Sequence, residues 1–183
     1  MKLKLISPVF ISFLTLTLIS CSKETKKSDV ILTHQIVDLE NQILNYESTL
    51  RTDGGHSSTN YSSVDSISKY AVGYKFVIPD SARSKDLKLF VSAWVREASA
   101  PMDGAVGIAV SNTKGILLWV VLEYKGGSYA PNTWVNIKDS IFIGRDLLSK
   151  EAYNEIRVFG TKDKGADALN IDDIEFTCKY TNQ

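Results

Sequence analysis

The sequence has few of the residues on which catalytic centres usually depend. Two cysteines and two histidines occur in 183 residues. It contains no closely spaced cysteine pair of the metal-binding kind, and no G-x-S-x-G, H-E-x-x-H or phosphate-loop motif. Asp172 and Asp173 are adjacent carboxylates, but neighbours along a strand point to opposite faces and cannot flank one glycosidic bond. The sequence therefore does not predict an enzyme.

An excess of charge of either sign is also missing. The 21 basic and 21 acidic residues give a formal net charge of zero, and no basic excess favours binding to nucleic acid. Hydrophobic residues make up 44% of the chain and charged residues 23%, as in an ordinary globular protein. The length suits one domain of usual size.

The longest apolar run lies at the N-terminus and is too short for a membrane-spanning helix. Lys2 and Lys4 precede apolar residues from Leu5 to Ile19. A basic start followed by a short apolar core is typical of a signal peptide, which we place at residues 1–20.

The end of this run resembles the lipobox of bacterial lipoproteins, in the order Leu18-Ile19-Ser20-Cys21. The resemblance implies that Cys21 becomes the new N-terminus and carries acyl chains, palmitate among them, that hold the protein at a membrane. Ser22 in place of Asp favours the outer membrane, with the side it faces left open. The alternative is an ordinary secretory signal with an incidental cysteine.

Acylation of Cys21 would leave Cys178 without an intramolecular disulfide partner. The position of Cys178 on the apolar side of its strand predicts a small buried core residue.

Residues 21–29 are polar and predict a tether. A helical spacing of three and four residues follows, which predicts a helical spacer over residues 30–45. The apolar stripe consists of Ile36, Leu39, Ile43, Tyr46 and Leu50.

Residues 46–183 predict an all-β domain. Short segments alternate apolar and polar residues, and turn-forming residues separate them. About seven such strands without a second helical stripe predict an antiparallel β-sandwich. The main segments are residues 70–78, 87–96, 107–111, 116–124, 134–143, 155–159 and 169–180.

The last of these segments has one apolar side. Ile174, Phe176, Cys178 and Tyr180 share one parity, which predicts a strand with one buried face. Asp172 falls on the same parity, and a buried carboxylate needs a partner. Either a turn of backbone N–H groups or a metal ion would serve.

Taken in order, five short motifs resemble the jelly-roll carbohydrate-binding modules with a galactose-binding-like fold that occur in bacterial lipoproteins. They are Asn45-Tyr46-Glu47, His56-Ser57 with Tyr61-Ser62-Ser63, Phe90–Val95, Thr133-Trp134 before Ile141–Ile143, and Asn170–Ile174. The resemblance covers residues 45–180. It implies a jelly-roll sandwich and a structural calcium ion, with Glu47 and Asp172 as carboxylate ligands and backbone carbonyls near Ser57 completing the shell.

In three predicted strands, aromatic and charged residues stand at alternate positions and would face the same side. Such a surface suits a sugar, because aromatic rings pack on its C–H faces and charged groups form hydrogen bonds with its hydroxyls. The alternative is that the tryptophans are core residues. The candidate ligand-binding residues are Trp94, Arg96, Trp119, Glu123, Arg157 and Phe159.

Together these features predict a non-catalytic binding module on a lipid anchor in the cell envelope, with a saccharide as ligand. The alternative is a structural lipoprotein whose sandwich scaffolds an envelope protein partner. Exposure of Trp94 and Trp119 to solvent favours the first hypothesis, and their burial favours the second.

Overall fold

The computed structural model describes residues 28–37, 49–98, 104–124, 129–148, 153–162 and 167–181. The signal peptide, Cys21 and Glu47 therefore lie outside the described residues. Within the described ranges, no helix has the length and apolar character needed to cross a membrane.

The described part of the chain contains ten strands, one α-helical turn and a 3₁₀ turn at Asp80–Ala82 between the fourth and fifth strands. In order, the strands and the α-helical turn are β1 (Asp29–Val37), β2 (Leu50–Thr52), β3 (Asn60–Val64), β4 (Tyr70–Val77), β5 (Leu87–Glu97), β6 (Gly104–Asn112), β7 (Gly115–Glu123), β8 (Val135–Ile143), α1 (Arg145–Leu148), β9 (Asn154–Lys162) and β10 (Leu169–Thr181). The strands predicted from residue 70 onwards are all present.

The strands form two antiparallel sheets. The larger sheet has the order β2-β3-β10-β5-β8, with β1 alongside the second half of β10, and the smaller sheet has the order β4-β9-β6-β7. From β3 to β10 the chain changes sheet at every connection except the β6–β7 hairpin. Such alternation is typical of a jelly-roll sandwich, so the predicted all-β fold is confirmed.

Apolar side chains from both sheets fill the space between them. Leu89, Val91 and Phe176 of the larger sheet and Ile108 and Val158 of the smaller sheet are buried in one cluster. Each such side chain contributes about 1.5–3 kcal/mol of transfer free energy. Cys178 belongs to this cluster as a free thiol, and burial raises its pKa to about 12. The prediction of a core cysteine is confirmed.

One ion pair is buried at the end of the sandwich. Lys162 of β9 and Glu97 of β5 have fully buried side chains and bond to each other across the two sheets. The Glu97 carboxylate also accepts a hydrogen bond from the Gly104 N–H at 3.4 Å. The pair neutralises two charges that would be costly alone in the interior.

The predicted helical spacer at residues 30–45 is wrong over its first half. Residues 29–37 form a strand that pairs with β10 from Asp29 opposite Thr181 to Val37 opposite Ile174. Val30, Ile31, Thr33, Ile36 and Val37 are β-branched and favour strands, and β10 offers them a free edge to pair with. The sandwich thus includes residues well before position 46, and residues 38–45 lie outside the described ranges.

The stretch from Arg51 to Ser63 is rich in Ser, Thr and Gly, and yet it contains most of β2 and most of β3. Its serines and threonines can occupy short strands at the border of a sheet because few of them must pack in the core.

Candidate functional site

The six predicted ligand-binding residues lie on two different surfaces. Trp94 and Arg96 are on the outer face of the larger sheet, on β5. The others are on β7 and β9 of the smaller sheet, namely Trp119, Glu123, Arg157 and Phe159. The expectation that all six share one surface is wrong, because β5 belongs to the opposite layer. Their roles in binding stay predictions.

A tight loop covers the outer face of the larger sheet beside Trp94. The N–H groups of Asp53, Gly54 and Gly55 all point to the Thr59 carbonyl at 3.0–3.2 Å. Asp53 and Gly54 have positive φ angles of 102° and 146°. A Cβ on Gly55 would lie 2.9 Å from the Asp172 carboxylate, so only glycine lets the loop approach β10 so closely.

Asp172 is fully buried beneath this loop. It accepts hydrogen bonds of 2.8 Å from the backbone N–H groups of His56 and Asp173. Burial raises the pKa of Asp172 above its usual value despite these bonds. The backbone N–H partners expected from the sequence are therefore present.

The predicted orientation of Asp172 is wrong. Ile171 pairs with the core residue Val95, and Asp172 pairs with Trp94 on the outer face. A bulge follows, because Asp173 has a φ of 46° and the register shifts between Asp172 and Glu175. One extra residue reverses the alternation, so Asp172 is buried by the loop and not by the core.

The calcium site inferred from the resemblance needs Glu47, which is outside the described residues. Across the ranges that the structure describes, no group of three or more His, Cys, Asp or Glu side chains could hold a metal ion. Both Asp172 carboxylate oxygens already accept backbone hydrogen bonds, whereas calcium takes six to eight oxygen ligands. The calcium ion stays a prediction, which thermal unfolding with and without a chelator would test.

Asp173 holds the loop from outside. Its carboxylate lies 2.7 Å from His56 Nδ1 and accepts a 2.6 Å hydrogen bond from Ser57 Oγ. The His56 ring stacks on Trp94 with centroids 3.7 Å apart and planes inclined by 13°. One face of the Trp94 indole is therefore covered by the protein itself.

Arg96 is also engaged within the protein. Its guanidinium lies 4.6 Å from the Trp134 ring centroid and 5.3 Å from that of Tyr61. Tyr61 and Trp134 meet edge to face at 6.2 Å. Such cation–π contacts stabilise β3 and the residue before β8 against β5, which favours a structural role for Arg96.

The outer face of the smaller sheet has the opposite character. Three rings lie in a row across it, with Trp119 5.5 Å and Tyr70 5.6 Å from Phe159 between centroids. Tyr70 is 46% exposed and Trp119 is 42% exposed. We call these three residues the aromatic shelf.

Two glycines make room for the central ring of the aromatic shelf. Gly73 of β4 and Gly107 of β6 are the cross-strand neighbours of Phe159. A Cβ on Gly107 would approach the Phe159 ring to 2.9 Å, and one on Gly73 would clash with its Cβ. The ring therefore lies down on the sheet and leaves a cavity of about 300 Å³ above it, bordered by Lys75, Ser111, Ile116 and Arg157.

Glu155 anchors the polar side of the aromatic shelf. Its carboxylate, nearly buried, accepts hydrogen bonds from Tyr153 at 2.6 Å and Ser111 at 3.3 Å and pairs with Arg157 and Lys75. Burial acts to raise the pKa of Glu155, but the Tyr153 and Arg157 hydrogen bonds outweigh it and lower that pKa. The carboxylate thus holds two half-exposed cations beside the rings.

The fold is similar to that of carbohydrate-binding modules. The C-terminal CBM6 of LamC, a marine laminarinase from Zobellia galactanivorans, is 11% identical over 79% of this chain and 99% of that one, with a TM-score of 0.45. The CBM22-2 xylan-binding domain of Paenibacillus barcinonensis Xyn10C is 12% identical over 81% and 90% of the two chains, with a TM-score of 0.46.

A cyclase from Fischerella sp. TAU, solved with an indolyl butanone, is 10% identical over 87% of this chain and 94% of its own, with a TM-score of 0.41. No protein-family model and no curated protein matches the sequence. At these values the similarity concerns the arrangement of strands alone, and neither a sugar nor an enzymatic activity follows from it.

Glu123 takes no part in the cavity above the aromatic shelf. It lies four residues beyond Trp119 and pairs with Ala105 at the far end of β6. Sequence reasoning placed it with Trp119 because both share a parity, but a strand extends about 3.3 Å per residue and separates them by roughly 13 Å.

Tyr70 and Glu155 were missed as members of the site. Strict alternation would place Tyr70 on the side of Tyr74 and Phe76, which pack against the core, but a register shift between Tyr70 and Gly73 turns it outwards. Tyr70 faces outwards beside Phe159 only because of this shift, and no local feature of the sequence predicts the shift. Glu155 stands two residues before Arg157 on the same face and could have been found by extending that parity.

Proposed function

We propose that this protein is a non-catalytic binding module that holds a saccharide against the aromatic shelf, displayed on a lipid anchor at Cys21. The supporting observation is the row formed by Tyr70, Phe159 and Trp119, which is open to solvent beside Arg157 and Lys75.

The chemistry of this surface suits a sugar. The C–H faces of a pyranose pack on aromatic rings, and its hydroxyls accept hydrogen bonds from charged donors. Arg157 and Lys75 each have about half of the side chain exposed, and both are oriented by Glu155. Orienting the donors before binding lowers the entropy lost when a ligand binds.

The exposure of the two tryptophans distinguishes the surfaces. Trp119 is 42% exposed on its sheet face, and tryptophan is more often well buried. Trp94 is half-buried beneath His56. The proposal therefore assigns binding to the smaller sheet and a structural role to Trp94 and Arg96.

A glycan array probed with the mature chain, residues 21–183 with Cys21→Ser, tests the proposal. We expect binding to at least one oligosaccharide and its loss by ten-fold or more in Trp119→Ala, since stacking on an exposed ring is removed. Trp94→Phe serves as the control and should retain binding. A folded chain that binds no glycan, or a Trp119→Ala variant that binds as well as the parent, would contradict the proposal.

A protein partner is the second candidate, and one observation favours it. Among the described strands, β7 is one of the two edge strands of its sheet, and its exposed face carries Ile116 and Val121 next to Trp119. An open edge with apolar side chains can pair with a strand of another chain. Loss of partner binding on inserting a proline in β7, with glycan binding absent throughout, would favour this candidate.

A further inference from the structure

A second surface, on the outer face of the larger sheet and away from Trp94, combines lysines with exposed apolar residues. Ile31 pairs with Lys179, Lys179 with Lys88, and Lys88 with Phe142, so the four side chains form one cross-strand row. Ile31 is 63% exposed and Phe142 67% exposed. Like charges directly opposite each other on neighbouring strands are destabilising, so the Lys88–Lys179 juxtaposition does not itself stabilise the sheet.

The two lysines also flank an aromatic ring. Lys88 Nζ and Lys179 Nζ lie 4.7 Å and 4.9 Å from the centroid of Phe90 in the next row. We call these five residues, Ile31, Lys88, Phe90, Phe142 and Lys179, the basic–apolar patch.

Further charges surround the patch. A cavity of about 430 Å³ at its edge is bordered by Lys85, Arg145, Asp29 and Asp86. Asp29 pairs with Lys179, and Asp86 pairs with Arg145. Among the described residues, Lys85 and Lys88 have no carboxylate partner, so the region carries a net positive charge.

The patch also lies close to the predicted lipid anchor. Ile31 follows Cys21 by ten residues. A fully extended chain reaches at most about 3.6 Å per residue, so the acyl chains would be within roughly 36 Å of the patch. The intervening tether adds Lys23, Lys26 and Lys27 against a single Glu24.

We propose that the basic–apolar patch docks on the surface of a bilayer that contains anionic phospholipids. The lysine side chains reach the phosphate groups while their stems lie along the apolar surface. Phe142 and Ile31 enter the boundary between headgroups and acyl chains.

This docking also sets the orientation of the protein. The patch and the aromatic shelf lie on the outer faces of the two stacked sheets, which point in opposite directions. With the patch on the bilayer, the aromatic shelf faces away from it. The anchor and the patch then hold one face of the protein at the bilayer, and the opposite face with the aromatic shelf stays exposed.

Co-sedimentation with vesicles tests the charged part of the proposal. The mature chain, residues 21–183 with Cys21→Ser, has no acyl chain and should bind vesicles of phosphatidylglycerol mixed with phosphatidylcholine better than phosphatidylcholine alone. Lys88→Gln is expected to weaken binding about five-fold, since one lysine near an anionic surface contributes about 1 kcal/mol. Lys114→Gln, in the β6–β7 turn of the other sheet, should bind like the parent.

The apolar part is tested by Phe142→Ser, with Ile67→Ser as the matched control. Ile67 is 90% exposed in the β3–β4 loop, so its loss should not matter. We expect Phe142→Ser to weaken vesicle binding ten-fold or more, because burying a Phe side chain contributes about 1.5–3 kcal/mol. A tryptophan introduced by Phe142→Trp should be quenched by vesicles with brominated acyl chains.

Three results would overturn the proposal. They are equal binding to neutral and anionic vesicles, unchanged binding of Lys88→Gln and Phe142→Ser, or an unquenched tryptophan at position 142. Binding to soluble dextran sulfate with the same dependence on Lys88 would also overturn it, by indicating an anionic polymer as ligand. Glycan binding through Trp119 is measured without vesicles, so failure of one proposal does not decide the other.

Discussion

His56 lies face to face with Trp94, 3.7 Å between ring centroids, while its Nδ1 lies 2.7 Å from the Asp173 carboxylate. The loop that carries His56 is thus fixed to two strands of the larger sheet, β5 and β10. This contact covers one face of the Trp94 indole and supports the structural role proposed for that tryptophan.

Removal of this ring should loosen the loop. We expect His56→Ala to lower the free energy of unfolding by about 2–4 kcal/mol, since the aromatic contact contributes about 0.5–1.5 kcal/mol and the hydrogen bond to the charged carboxylate about 1.5–3 kcal/mol. Urea unfolding followed by tryptophan fluorescence measures the change, and uncovering Trp94 should also alter the emission of the folded state.

His34→Ala is the matched control. His34 is exposed on β1 and bonds Thr177 Oγ1 at 2.8 Å, with no aromatic stack. Its substitution should change the free energy of unfolding by less than about 1 kcal/mol. Equal effects of the two substitutions would show that the stack on Trp94 adds nothing.

The sheets could be predicted from the sequence because the alternation of apolar residues is local. The alternation within β5 predicts its inward face without reference to other strands. The residues on this face are buried as expected, among them Leu87, Leu89 and Val91. The apolar parity of Phe176 and Cys178 was equally clear. Where the apolar alternation of a strand agrees with its burial in the sandwich, the sequence predicts the fold class.

Features that depend on distant partners could not be predicted. β1 is a strand because β10 offers it an edge, although residues further along have helical spacing. The orientation of Asp172 depends on a bulge at Asp173, and that of Tyr70 on a register shift against β9. Each of these irregularities changes which face a residue occupies, and therefore which residues form the site.

Gly55 is required by the close approach of its loop to β10. Gly55→Ala would place a Cβ 2.9 Å from Asp172 Oδ2 and 2.8 Å from the Ser58 carbonyl. We expect a loss of about 1–3 kcal/mol in the free energy of unfolding, because backbone oxygens cannot move aside cheaply. Thermal and urea unfolding measure it.

Gly144→Ala provides the comparison, since a Cβ there would lie 3.8 Å from its nearest neighbour, the Phe142 ring. We expect little change or slight stabilisation from the lower entropy of the unfolded chain. A Gly55→Ala variant as stable as Gly144→Ala would show that close packing of the loop on β10 does not require glycine at position 55.

The buried pair between Lys162 and Glu97 should respond more strongly to the loss of one partner than of both. Lys162→Met removes the cation that neutralises the buried Glu97 carboxylate, and we expect a cost of about 3–5 kcal/mol. The double variant Lys162→Met, Glu97→Leu should recover much of this stability, because no unpaired charge remains.

Lys179→Met breaks the more exposed pair with Asp29 and should cost no more than about 1 kcal/mol. Chemical denaturation of the four proteins gives the comparison. A double variant no more stable than Lys162→Met alone would show that packing at the two sites, and not the charge of the buried carboxylate, sets the cost.

Asp172 should make stability fall as the pH rises. Burial raises its pKa in the folded protein above the value of 3.8 taken for an unperturbed carboxyl group. The folded state therefore binds the proton more tightly than the unfolded chain does. The favourable contribution of Asp172 to the free energy of unfolding is complete below the unperturbed pKa, and it is lost as the pH rises through the folded pKa. Measured from pH 3.8 upwards, the free energy of unfolding of the parent should decline relative to that of Asp172→Asn, which does not titrate. Asp65 is the opposite case, because hydrogen bonds from the Ser68 and Ile67 N–H groups lower its pKa. Its contribution to the free energy of unfolding increases as the pH rises through the acidic range. A parent-minus-variant difference for Asp172 that rises with pH would mean that the backbone N–H groups of His56 and Asp173 outweigh burial.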